Sequence, residues 1–110
     1  MALSEKWREF SQEQRVLNVA SEFSRVQSGL EAQDAASVQS SLERALELID
    51  LTVEEAVREE SLAFLKELLR LREGLAEFYI RKDRALDELR ALYQALLDLL
   101  AGVHNLGVQI

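Results

Sequence analysis

The stretch FLKELLRLREGLAEF, residues 64–78, places Phe64, Leu68, Leu71, Leu75 and Phe78 at alternating steps of four and three. A helix of 3.6 residues per turn gathers side chains so spaced on one face. The same rhythm runs through Val16, Val19, Phe23, Val26 and Leu30 near the start of the chain. Two further faces follow it, Val38, Leu42, Ala45, Ile49 and then Leu86, Leu89, Tyr93, Leu96, Leu100. Nearly all the apolar residues are spent on these faces, which leaves little for chemistry.

Composition agrees with the pattern. Of 110 residues, 48% are hydrophobic and 30% charged, the balance of a single globular domain able to bury one core. Leu, Ala, Glu and Arg dominate, Gly is held to four and Pro is absent, so the expected class is all-α. The absence of Cys excludes disulfides, thiolate metal sites and cysteine nucleophiles. Met1 to Phe10 carries four charges and no apolar signal core, and no apolar run approaches the ~20 residues of a membrane span. A cytoplasmic protein without a membrane partner is the expectation. The net charge of −7 argues against nucleic acid, whose binding rests on neutralising phosphates. The one basic cluster, Arg81, Lys82 and Arg84, has Asp83 inside it.

Capping signals divide the chain. Ser11 with Gln14 resembles a capping box, and Gly29 suits a left-handed helix end, so the first long helix is expected over 12–32. Asp34 is the N-cap signal for a helix over 35–59. Thr52 with Glu55 forms a capping box that would start a new helix at Val53, but continuation is favoured because 49–52 lacks Gly, Asn or Pro to turn it. A third helix is expected over 61–81, interrupted only by Gly74. A fourth follows over 84–101, capped by Asp83 and stopped by Gly102 and Asn105. The short links Gln33-Asp34 and Lys82-Asp83 imply antiparallel neighbours, hence an up-and-down antiparallel four-helix bundle spanning 1–110 as one domain. Residues 1–11 then form an N-terminal segment, and 103–110 a C-terminal tail.

Catalytic and metal-binding constellations are not apparent. His104, the sole histidine, has Ala101 and Leu100 where helical metal sites place a second ligand. The carboxylate pairs Glu54/Glu55, Glu59/Glu60 and Asp87/Glu88 are adjacent in sequence and diverge by ~100° on a helix, so they read as solvated faces. Glu55 and Glu59 repel at i, i+4, and Glu77 and Arg81 attract. The glycines are scattered, with no phosphate-cradling loop, and Ser37, Ser40 and Ser41 have no activating base nearby. No cofactor is expected, and the chain does not read as an enzyme.

The functional hint is apolar breadth. The third and fourth long helices carry Leu62, Leu65 and Leu69, and Leu92, Leu97 and Leu99, beyond their main seams. Such surplus is covered inside the bundle, in a homodimer, or by a partner's helix, and a homodimer buried chiefly through these two helices is the expectation. Leu92, Leu99, Leu62 and Leu69 are therefore candidate partner or dimer residues. Trp7 and Phe10 join them, unless they staple the N-terminal segment to the bundle.

The order of elements resembles the bacterial flagellar export chaperone family. Leu30-Glu31-Ala32-Gln33-Asp34 leading into Arg44 to Leu51 is similar to that family's link between long helices. Ile80-Arg81-Lys82-Asp83 leading into Leu89 to Leu100 is similar to its final link and helix. Val19-Ala20-Ser21-Glu22 stands roughly where the family carries Tyr-Asp-Gly-Ala. The resemblance implies a cytoplasmic bundle that binds a secreted partner's helical tail on its outside, and it carries over no binding residue. The expected function is a non-enzymatic protein–protein interaction module: adaptor, export-chaperone-like protein or regulator. The alternatives are a structural homo-oligomer and a metal-dependent helical-bundle enzyme.

Overall fold

Ser11 starts the first long helix as its sequence demands. Its hydroxyl accepts from the Gln14 N–H at 3.1 Å, and the Gln14 side chain accepts from the Ser11 N–H at 2.8 Å. In the structure, a computed structural model, residues 3–81 and 83–109 are described, the last seven as backbone only. Among them are five α-helices and no strand: α1 (Leu3–Glu9), α2 (Gln12–Glu31), α3 (Ala35–Arg58), α4 (Leu62–Ile80) and α5 (Leu86–Gln109). The protein is an all-α helical bundle. Helix α2 packs on α3, α3 on α4, α4 on α5 and α5 back on α2, while α1 lies against α3.

Two links use one device. The Asp34 N–H bonds to the Gly29 carbonyl at 2.9 Å and the Gln33 N–H to Leu30 at 3.2 Å, with Gln33 left-handed at φ 57°. The Ser61 N–H bonds to Ala56 at 3.0 Å and the Glu60 N–H to Val57 at 3.2 Å, with Glu60 at φ 56°. Each satisfies the last carbonyls of its helix. The left-handed residue expected at Gly29 is thus Gln33. Gly29 stays helical for another reason: a Cβ there would lie 2.8 Å from Val38 Cγ2, so α2 and α3 meet at a point only glycine fits.

Helix α3 runs unbroken through Thr52, as expected. The buried Thr52 hydroxyl donates to its own helix, at the Leu48 carbonyl, at 2.7 Å. Asp34 caps the helix by accepting from the Ser37 N–H at 3.2 Å.

The link into α5 departs from expectation. Asp83 does not start the helix, which begins at Leu86 with bonds to the Ala85 carbonyl at 3.2 and 3.3 Å. The cause is Arg84. Its guanidinium donates to the Tyr79 and Phe78 carbonyls at 2.5 and 3.4 Å and to the Gln39 side chain at 3.0 Å. Arg84 therefore satisfies the last carbonyls of α4 and ties the link to α3, and it and Ala85 stay outside the helix. Helix α5 also does not stop at Gly102 but continues to Gln109. A helical Gly costs only ~1 kcal/mol, which neighbouring turns outweigh. The tail expected over 103–110 is helical through Gln109, and the side chain of His104 lies outside the described residues.

Gln33→Gly is expected to stabilise the fold by about 0.5–1 kcal/mol, because it relieves a left-handed Gln. Gly29→Ala is expected to destabilise it. Urea midpoints at constant m-value check both.

Candidate functional site

The seams meet where their spacing directs. Phe23, Leu42, Ile49, Leu68, Leu75, Phe78, Leu89 and Leu96 are fully buried. Of the surplus on α4 and α5, Leu65, Leu92 and Leu99 are partly buried against the same interior, as are Leu86, Tyr93 and Leu100 of the main seam. Leu62, Leu69 and Leu97 stay exposed. Tyr93 packs edge-on against Phe23, ring centres 5.7 Å apart, with its hydroxyl 3.0 Å from the Ser24 hydroxyl.

Leu17, Val57, Ile80 and Leu97 are exposed as well, and the candidate residues of α4 and α5 fall on two faces. The first is a groove between α4 and α5 of about 450 Å³, floored by Phe64 and Leu71 from α4 and by Leu92 and Leu99 from α5. A Cβ added at Gly74 would stand 2.8 Å from Leu92 Cδ2, so the tip of Leu92 packs on the α4 backbone there. At Gly102, on the groove's lining, an added Cβ would meet nothing within 4 Å. The α5 lining of the groove runs from Leu92, which packs on Gly74, to Gly102.

The second face holds Leu62, 72% exposed, and Leu69, 45% exposed. At ~100° per residue they lie roughly 140° around α4 from Glu67 and Gly74, on the flank away from the groove. The six residues singled out from sequence therefore do not form one surface. Leu92 and Leu99 share the groove, and Leu62 and Leu69 belong elsewhere.

Trp7 belongs to no accessible surface. It is 2% exposed, and its indole N–H donates to the Thr52 hydroxyl at 3.0 Å. Phe10, partly buried, stands edge-on to it at 5.5 Å. The stapling alternative holds because a large apolar ring with one polar handle finds both a cleft and an acceptor on α3.

Arg15 was not flagged by its charge, yet it is almost fully buried. Its guanidinium donates to the Trp7 carbonyl at 3.0 Å, the Arg8 carbonyl at 3.2 Å and Glu59 at 2.6 Å. Arg15 therefore binds α1 to α2 and to the end of α3. Its place beside Val16 and Val19 on the apolar face was the available signal.

Glu55 is likewise not solvated. It is 5% exposed, 3.8 Å from both Arg8 and Arg58. The Glu55/Glu59 repulsion of an isolated helix is offset because each carboxylate has its own arginine. The other buried carboxylate, Glu22, pairs with Arg25. Glu77 does not hold Arg81, which bonds to Glu88 instead at 2.5 Å. On the outer side, Asp50 bonds to Arg72 at 2.5 Å and raises the guanidinium pKa through hydrogen bond and charge. Arg72 is cationic either way, so this exposed pair adds little stability.

Among the described residues no three His, Asp or Glu side chains come together as a metal site would require, and no helix is long and apolar enough to cross a membrane. No protein-family model matches the chain, and no match is found among curated proteins or solved structures.

Gly74→Ala tests the Gly74–Leu92 contact. The added methyl displaces only the mobile tip of Leu92, and about 1 kcal/mol of helix propensity is gained. Stability is expected to change by less than about 0.5 kcal/mol, in contrast to the loss at Gly29, as thermal melts monitored by circular dichroism will register.

Proposed function

We propose that this chain is a non-enzymatic protein–protein interaction module, acting in the cytoplasm as an adaptor, an export-chaperone-like protein or a regulator. The observation that carries this reading is the apolar groove between α4 and α5, floored by Phe64, Leu71, Leu92 and Leu99. A concave apolar strip between two helices is the shape that takes an amphipathic partner helix. The accompanying architecture is an up-and-down antiparallel bundle of the four long helices, with α1 as a latch. It is supported by pairs that join opposite ends of neighbouring helices: Arg15 with Glu59, and Gln39 with Tyr79 at 2.7 Å.

A second reading, a structural homodimer, is favoured by the separate apolar strip of Leu62 and Leu69. Twofold dimers are the commonest soluble assembly. Substitutions on the two faces separate the readings. Leu92 is a poor choice, since it also packs on Gly74.

Proteins cross-linked to the native chain in its own cells are expected to be retained by Leu62→Glu/Leu69→Glu and lost by Leu99→Glu. The reverse pattern, with a wild-type dimer in sedimentation that Leu62→Glu/Leu69→Glu dissociates, would give the homodimer instead.

A further inference from the structure

The charges along the α4–α5 face are unevenly placed. Glu67 and Asp98 border the groove, with Arg70 as its one cation. Past the Gly74–Leu92 contact the same face carries Glu77 and Glu88, with Arg81. Both arginines are already engaged: Arg70 lies 3.1 Å from Glu67 and Arg81 2.5 Å from Glu88. Asp98 has only a neutral partner, accepting from the Gln94 amide at 2.9 Å. No ion pair neutralises Asp98 or Glu77 among the described residues, and the whole chain carries −7. The border is thus acidic around an apolar floor.

The volume sets the size of the occupant. About 450 Å³ is three times the ~150 Å³ of an apolar cavity that takes up one benzene. It therefore accepts about three bulky side chains, the number that an amphipathic helix presents at i, i+4 and i+7. The chain closes another of its clefts in a related way, by laying α1 on α3 with Trp7 as anchor. A second copy of the chain fits less well, because it would bring a like charge of −7 to an acidic border.

We propose that the α4–α5 groove receives a partner protein's amphipathic helix, with three apolar anchors and basic flanks. The inference rests on the α4–α5 face being the docking surface, and adds the occupant's shape and charge. Apolar burial between Phe64, Leu71, Leu92 and Leu99 supplies affinity, whereas Asp98 and Glu77 select the sign of the flanks and speed encounter.

The probe is a displayed library of helical peptides with apolar anchors at i, i+4 and i+7 and randomised flanks, selected on the purified full chain. Enriched peptides are expected to carry net positive flanks. Ala95→Arg, an exposed substitution on the groove lining, is expected to weaken them about tenfold without altering helix content. Arg70→Glu, which removes the cation, is expected to tighten them about fivefold at low salt, a difference that fades as salt screens it. Peptides that depend on Ala95 but carry neutral or acidic flanks would overturn the basic partner while leaving the docking face standing. Absence of any peptide sensitive to Ala95→Arg or to Leu99→Asp would overturn the helix occupant, and the cross-linking comparison then judges the interaction module on its own. A wild-type dimer that Ala95→Arg dissociates would assign the groove to a second copy and overturn the proposal.

Discussion

Everything in this bundle depends on one interior that four long helices must share. Phe23 from α2, Leu42 and Ile49 from α3, Leu68, Leu75 and Phe78 from α4, and Leu89 and Leu96 from α5 lose essentially all contact with water. Each such side chain gains about 1.5–3 kcal/mol on burial, against a net stability of order 10 kcal/mol for a domain. No single helix retains that gain alone. The links, caps and ion pairs then have to be compatible with this ring of neighbours.

Polar groups are arranged around that interior rather than kept out of it. Arg15 is the chief example. Burial of an unpaired guanidinium would be prohibitive, yet it satisfies two carbonyls of α1 and the Glu59 carboxylate together. The N-terminal segment is thereby positioned so that Trp7 covers Thr52. Arg84 does similar work at the link between α4 and α5, joining the end of α4 to Gln39 of α3. In both places an arginine fork reaches several acceptors that a point charge would not satisfy.

The groove follows from the same geometry. At Gly74 the missing side chain lets the tip of Leu92 pack against the α4 backbone. Away from it, Phe64 and Leu99 lean into the interior without closing over one another. Phe64, Leu71, Leu92 and Leu99 together line that groove, the surface proposed above for a partner helix.

Local patterning dictates the helical class, the capping box at Ser11 and the N-cap at Asp34, and it favours the continuity of α3 through Thr52 over a break at the Thr52–Glu55 capping box. These are local properties, set by 3.6-residue periodicity and by side chains reaching a backbone N–H three residues on. It also marked Leu92 and Leu99 as lying off the main seam of α5. Only the tertiary structure decided that Gln33 and Glu60, not a glycine, take the left-handed turns. Likewise tertiary were the postponement of α5 to Leu86 by Arg84, and the burial of Trp7, Arg15 and Glu55. It alone set Leu62 and Leu69 on a different face from the groove. The postponement of α5 and the burial of Trp7 and Arg15 turn on partners distant in sequence, as Gln39 is to Arg84, Thr52 to Trp7 and Glu59 to Arg15. Periodicity records which face of a helix is apolar, but which neighbour covers that face, and how closely, is settled only when the helices pack.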